Sequence, residues 1–411
     1  MNAVAEAGLS DNPSDLTTAL LVILRGEAIP PLDGSQWPKV LALATQHGLF
    51  PAVSNRIPAA IWEELPGLGE VVRQTIKRNT CRNLALLGET VRLLSLLRAA
   101  GITAVPFKGG VLGHLAHGNV ALRQPGDMDL FVRKRDLKAA IDCLRAAGYR
   151  LDAKWNSALR EGHFRFDCEC EMVHPGKQMC VDLHWEFTAR NFSLPLPIEE
   201  MFGRLQPIRH QGVDILSFAP EDLLLVLCLH AAKHHWHRLE WVFTIDAFIR
   251  RHPALDWESI LQRAGAMHLT RLVATGLRLV RDLFDGPLPD AVWKWVEACR
   301  HANSLAADAL AWIRAGVVKP SPLQLRRFHA RGRDGLWQRV QYWLGAAFTP
   351  SEKDYAVELP TGFSWAHYLT RPVRLLFSSV AQLFGRASRS PQNSVPALSS
   401  LGPSHNERNA A

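Results

Sequence analysis

The stretch Ala104–Val132 constrains this chain more than any other. It begins Ala-Val-Pro-Phe-Lys-Gly-Gly and ends Arg-Gln-Pro-Gly-Asp-Met-Asp-Leu-Phe-Val. Ile102 to Phe107 is short, apolar and broken by one proline, the profile of a buried strand. Lys108-Gly109-Gly110 follows at once, where a chain turning from strand into helix would sit. Glycines let backbone come close to a ligand, the free N–H groups of a starting helix favour phosphate, and Lys108 adds a point charge. Gly126-Asp127-Met128-Asp129 then leads into Leu130-Phe131-Val132, which reads as a second strand. Carboxylates two apart on a strand point the same way. Two like charges side by side repel, so the pair is best accounted for by a divalent cation between them. Mg²⁺, or Mn²⁺ in its place, suits oxygen ligands shared with a substrate's phosphates. A bare Asp-x-Asp is also what two surface acids at a turn look like; the glycine turn upstream is what raises it to a site for nucleotide phosphates.

The rest of the chain supplies a frame. Leu16–Arg25, Trp37–His47 and Ala59–Glu64 read as short helices, and Gly69–Ala100 as a long one whose Leu84, Leu87, Val91, Leu94 and Leu97 form an apolar face for the sheet. Strand 102–107, a helix over 110–117, strand 128–133 and a helix over Asp136–Ala147 follow. Phe164–Val173 and Met179–Phe187 flank the turn His174-Pro175-Gly176-Lys177, hence a hairpin. Its second strand brings Cys180, Asp182 and His184 to one face, so Asp182 can return to the sheet surface that carries Asp127 and Asp129; Asp167 and Glu169 on the partner strand compete for that role. Helices over Pro220–His230, Leu239–Arg250, Trp257–Ala266, Leu269–Phe284 and Ala291–Ala302 make the second half helical. Beyond Lys319, Trp337–Gly345 and Trp365–Gly385 read as helices. The expected organisation is a disordered tail over 1–13, a helical region over 14–101, an α/β core over 102–218, a helical domain over 219–318, a basic helical region over 319–385 and a disordered tail over 386–411.

The glycine turn, Arg123, the Asp-x-Asp and Val181-Asp182-Leu183-His184-Trp185 resemble a bacterial nucleotidyltransferase-like family within the DNA polymerase β-type nucleotidyltransferase superfamily. The likeness continues from Leu223 to about Pro289 through His230, Lys233, Trp241 and Asp246. It implies an α+β fold, a mixed-sheet core between helical domains, and transfer of a nucleoside monophosphate from an NTP to an acceptor. Asp127, Asp129 and Asp182 would then be the catalytic, metal-holding carboxylates. Lys108, Gly109, Gly110, Arg123, His230 and Lys233 would contact the nucleotide. One departure stands out: the superfamily's usual Gly-Ser is Gly109-Gly110 here, which removes a phosphate-binding hydroxyl.

Composition excludes other classes. No apolar run approaches the ~20 residues needed to span a bilayer, and the N-terminus lacks the basic-then-apolar layout of a signal peptide, so a cytoplasmic protein is expected. Seven scattered cysteines suit core positions in a reducing compartment rather than a disulfide framework. The net charge is +8, and the segment from Lys319 onward carries a surplus of seven of it. That basic quarter could meet an anionic surface, nucleic acid or an acidic partner, or be simply a solvated face. Arg371-Pro372-Val373-Arg374-Leu375-Leu376-Phe377 mixes basic and apolar residues in a way that suits either a membrane surface or a helix capping the core. His230 and His234 have a zinc-pair spacing, but the Glu of His-Glu-x-x-His and a third ligand are missing. Cys168-Glu169-Cys170 lacks the Cys-x-x-Cys spacing. Two rivals to the transferase reading remain: a non-catalytic nucleotide- or partner-binding module on the same fold, and a nucleotidyltransferase acting on RNA.

Overall fold

The computed structural model describes residues 13–124, 126–152, 164–210, 212–315, 320–350, 354 and 366–375. Its centre is a five-stranded mixed sheet in the order β1-β2-β5-β4-β3. The strands are β1 (Ala104–Pro106), β2 (Met128–Val132), β3 (Arg150–Leu151), β4 (Glu169–His174) and β5 (Met179–His184). β1 runs antiparallel to β2, β2 parallel to β5, and the β4–β5 hairpin closes antiparallel through Glu169↔His184 to His174↔Met179. A separate two-stranded hairpin, β6 (Gln206–His210) and β7 (Val213–Ser217), was not foreseen.

Alternation along the strands divides the sheet chemically. Met128, Leu130 and Val132 of β2, Val181 and Leu183 of β5, and Cys170 and Met172 of β4 are buried together against Leu86, Leu87, Leu93, Leu94 and Leu97 of the long helix Pro66–Ala99 and against the helix Leu137–Ala146. The long helix therefore does pack on the sheet. Leu84, however, is exposed, because the packed face runs through Leu86 and Leu93. The opposite face carries the odd-numbered residues of β2 and the polar side chains of β4 and β5. Two residues farther along, Phe131 joins Phe187, Phe202 and Phe218 in an aromatic cluster beside it.

The long helix has a second task, invisible in its apolar pattern. Asn83 Nδ2 donates to the carbonyls of Val120 and Arg123 at 2.9 Å each, Asn79 Nδ2 to those of Ala121 and Arg123 at 3.0 Å each, and Arg82 to that of Gly126 at 3.0 Å. This row of donors holds the loop that delivers Asp127 and Asp129 to β2. Glu89, one turn farther along, accepts from Lys177 of the β4–β5 turn at 2.8 Å and from Tyr149 Oη at 3.0 Å, with Arg92 closing the cluster.

The helices on either side of the sheet share one apolar core. Leu20, Val40, Leu41 and Val53 from the N-terminal helices are buried in one cluster with Leu224, Trp236, Phe248, Val280 and Leu305 from the helical half. Several sequence expectations are corrected here. The helix expected over Ala291–Ala302 is two helices, Asp290–Ala298 and Arg300–Arg314, broken at Cys299, which takes ψ 79° instead of a helical value. The first hairpin strand starts at Glu169 rather than Phe164, because residues 164–166 form a helical turn. Helices Phe50–Ser54 and Pro322–Arg331 were missed, the latter despite a capping box between Ser321 and Gln324. Cys81 is exposed rather than part of the core. Pro13 already begins a helix. The rest of the tail expected over 1–13, the tail expected over 386–411, and the part of the expected Trp365–Gly385 helix outside 366–375 lie beyond the described residues.

Candidate active site

β2 and β5 are neighbours in parallel, and their register sets Asp129 directly beside Asp182. Paired residues of adjacent strands project to the same face, so two of the three expected carboxylates meet because of strand order alone. Asp127 stands one residue ahead of β2. The antiparallel partner β4 places Glu171 opposite Asp182 and Glu169 opposite His184, which brings the carboxylates at this face to five.

His184 lies between two of them. Its Nε2 is 3.1 Å from Asp129 Oδ1 and its Nδ1 is 3.0 Å from Glu169 Oε2. Burial alone would lower the imidazole pKa, but Glu169 and the hydrogen bonds to both carboxylates raise it above its ordinary value, which favours the charged ring. Phe107 packs edge-on against the ring at 4.9 Å. Lys108 Nζ reaches the same Asp129 oxygen at 2.8 Å. Burial would push Asp129 up; the Lys108 ammonium and the His184 contact reverse this and hold it below the usual carboxylate range. Among the described residues, Asp127 and Asp182 feel Lys108 only at longer range. Burial first and the neighbouring carboxylates second push Asp127 up to about 6 and Asp182 well above its usual value.

The glycine turn adjoins this face. Gly109 has φ +58°, a left-handed conformation that favours glycine, and it opens the helix Gly109–His117 with residue 127 at its side: a Cβ on Gly109 would lie 3.6 Å from the Asp127 carbonyl oxygen. The notch between Lys108, Gly109, Gly110, Asp127 and Asp129 has room for about one water molecule, at about 10 Å³. Gly110 points its missing side chain at Leu87, 3.5 Å from that residue's Cβ. A serine would make only an ordinary contact there, so packing does not dictate the glycine.

Arg123 braces the turn. Its guanidinium donates to the Gly109 carbonyl at 3.3 Å and pairs with Glu240 of the helix Leu239–Arg251 at 2.8 Å, and Arg238 approaches the same Glu240. It thereby ties the glycine turn to the helical half. His230 and Lys233 lie in the last turn of the helix Pro220–Lys233. Lys233 Nζ is 3.8 Å from Cys168 Sγ. Burial works against its charge, but Cys168, Glu169 and Asp167 keep its pKa above the ordinary value. His230 is held well below its usual value by burial and then by Lys108, which places these two expected contacts within electrostatic reach of each other. Its ring neighbours His234 at 4.7 Å, and His234 stacks on Trp241 at 5.3 Å.

The structure thus brings together Asp127, Asp129, Asp182, Lys108 and the glycine turn, with His230 and Lys233 above them. The reading of the residues had not given His184, Glu171 or Glu240 a role. The alternation that turned Asp182 inward also turned His184 inward, and that signal was available. Glu240 had none, since its partner lies 117 residues away. Among the described residues, no three His, Cys, Asp or Glu side chains stand close enough as they are to hold a metal ion. The donor chemistry nevertheless fits a hard divalent cation. All three carboxylates offer oxygen, and two are pushed toward protonation by burial and by neighbouring carboxylates, a penalty that a bound cation would remove.

A mixed sheet with carboxylates on adjacent parallel strands beside a glycine turn, flanked by helices, is the α+β nucleotidyltransferase-type fold. The chain belongs to the family of uncharacterised nucleotidyltransferases, whose model matches residues 33–285. The match begins well before the sheet and takes in the long helix Pro66–Ala99. Neither the curated proteins nor the solved structures include a significant match to this chain. Family membership assigns the chain at a general level to the nucleotidyltransferases, with a nucleotide as substrate. No described helix is long and apolar enough to cross a membrane.

Proposed function

We propose that this protein transfers a nucleoside monophosphate from an NTP to a hydroxyl-bearing acceptor by in-line displacement at the α-phosphorus. The acceptor oxygen forms a bond to that phosphorus while the bond to the oxygen bridging toward the β-phosphorus breaks. Pyrophosphate leaves with the electron pair, and the hydroxyl proton passes to solvent. Such chemistry depends on positioning and charge neutralisation, and needs no side-chain nucleophile. Asp127, Asp129 and Asp182 would hold Mg²⁺ or Mn²⁺, which when bound supplies neutralisation of the triphosphate and acidification of the acceptor hydroxyl. Lys108, which now neutralises Asp129, would shift to a phosphate oxygen, and the N–H groups at the start of the Gly109–His117 helix would face the same anion. His230 and Lys233 would contact the phosphates or the base from above.

The observation that carries this reading is the parallel register of Asp129 with Asp182, which brings a third carboxylate to the Asp127–Asp129 pair. Incubating the protein with each α-labelled NTP, Mg²⁺ or Mn²⁺ and cell extract should move label onto protein, RNA or a small molecule. The same mixture with Asp129→Asn should not.

A second reading, a nucleotide- or partner-binding module without turnover, draws support from two details. Asp129 is already engaged by Lys108 and His184, and the hydroxyl usual after Gly109 is missing. Nucleotide binding without any label transfer, in wild type and variant alike, would decide for it.

A further inference from the structure

In the C-terminal quarter, the helix Leu336–Phe348 is built the wrong way round for a surface helix. Its inward side carries Tyr342 and Ala346, while Leu336, Trp337, Val340, Trp343, Leu344 and Phe348 are exposed, Leu336 at 76% and Trp337 at 64%. At helical spacing these residues fall on one outward arc, with Gln341 at its edge. The neighbouring helical stretch 366–375, joined to it by a hydrogen bond from Arg371 to the Ala346 carbonyl at 3.2 Å, exposes Leu369 and Val373 as well. Most of the large hydrophobic side chains exposed among the described residues lie in this quarter of the chain. A contiguous stripe of this kind marks an interaction surface rather than scattered exposure.

A cavity of about 480 Å³ opens beside the stripe, between the helices Arg300–Arg314, Pro322–Arg331 and Leu336–Phe348. Arg327, Arg331 and Arg339 line it together with Trp312, Trp343 and a single acid, Asp308, which pairs with Arg331. Trp343 belongs both to this lining and to the outward stripe. The Nε atoms of Arg331 and Arg339 are buried without a hydrogen-bond acceptor. Arg271 stands close by: its pKa falls through burial and then through Arg339, and that of His301 through burial and then through Arg271, Arg339 and Arg331. A cluster of guanidinium groups with one carboxylate attracts an anion, and arginine matches the oxygens of a phosphate in particular.

We propose that this face docks the protein on an anionic lipid bilayer, with the Leu336–Phe348 stripe entering the boundary between headgroups and acyl chains and the arginine cavity receiving a lipid phosphate. Tryptophans beside aliphatic residues suit the interfacial layer, and the surplus of seven positive charges in the segment from Lys319 onward attracts the leaflet. Nucleic acid would use the same charges but would gain nothing from the aliphatic Leu336, Val340 and Leu344. The proposal does not depend on the transferase reading.

Flotation of the full chain with vesicles tests it. The wild type should float with vesicles of phosphatidylcholine mixed with phosphatidylglycerol, far less with phosphatidylcholine alone, and less as salt rises. Trp337→Gln with Leu344→Gln should lower the partition coefficient about tenfold or more while leaving the melting temperature unchanged, as both positions are exposed. Leu336→Gln alone gives the same comparison with a smaller loss if the double variant fails to fold. Arg327→Gln should reduce the preference for the anionic vesicles several-fold. The proposal is wrong if the protein fails to float with either vesicle, or if flotation is unaffected by the glutamine substitutions. It is equally wrong if the stripe instead drives a concentration-dependent dimer that the double variant abolishes. Binding of inorganic phosphate or of an RNA oligomer without flotation would also overturn it.

Discussion

Asp129 is held by Lys108 at 2.8 Å and His184 at 3.1 Å, whereas Asp127 and Asp182 are raised by burial and by neighbouring carboxylates. Opposite outcomes follow for neutralising each. Asp182→Asn and Asp127→Asn remove a buried like charge and should leave the melting temperature of the metal-free protein unchanged or higher. Asp129→Asn strips Lys108 and His184 of their shared partner and should lower it. In a transferase, Asp182→Asn should leave NTP binding within a few-fold and cut single-turnover rates by a factor on the order of 10² or more, the mark of an interaction made chiefly in the transition state. Calorimetry and single-turnover labelling on the three variants check both statements. Equal destabilisation by all three would contradict the electrostatic reading. Gly110→Ser restores the hydroxyl usual in the superfamily at a site where a Cβ meets only ordinary contact with Leu87. It should fold normally and tighten NTP binding, and weaker binding in calorimetry would show that the glycine itself is needed.

The long helix Pro66–Ala99 acts as the ruler of the site. Asn83 is fully buried and satisfies two loop carbonyls, so Asn83→Ala should leave both without a donor and lower stability by about 2 kcal/mol, readable in urea unfolding. It should also loosen the approach to Asp127 and weaken NTP binding without touching the nucleotide. Glu89 provides a pH signature on the same helix. Its hydrogen bonds with Arg92 act against burial, and together with Lys177 and Tyr149 they hold its pKa at about 2, below an ordinary value of 4.5. A carboxylate depressed on folding stabilises the native state fully above its unfolded pKa. That contribution fades as pH falls from about 4.5 toward 2. Arg92 and Lys177 are both partly exposed, so screening limits the gain to roughly 1–2 kcal/mol. Glu89→Gln should therefore lower the melting temperature at neutral pH and narrow its gap to wild type in acid. A gap that stays constant with pH would rule out the ion cluster as its cause.

For the whole molecule, the helices before the sheet and those after it bury their apolar faces in one cluster, with Leu20 and Val280 both inaccessible to solvent in it. Leu20→Ala should cost about 3 kcal/mol although it lies far along the chain from any proposed site residue. The described body should unfold in one calorimetric transition. Two well-separated transitions, with the N-terminal helices melting first, would show that the shared core does not couple them.

Local signals accounted for much of this. The short apolar runs flanked by glycine, the Asp-x-Asp and the alternation through Val181–Trp185 located β1, β2, β5 and their carboxylates, because strand period and turn chemistry are properties of a few consecutive residues. The leucine spacing of the long helix gave its packing side to within one position, Leu84. Pairing belongs to another range. The parallel register of Asp129 with Asp182, the Arg123–Glu240 ion pair and the asparagine clamp on the loop 120–126 join residues 37 to 117 positions apart. Their energies depend on burial and on partner geometry, which no window of sequence contains. The same holds for the outward stripe at Leu336–Phe348: its spacing announces a helix with one apolar face, and only the packing of Tyr342 and Ala346 against the body shows that this face looks out.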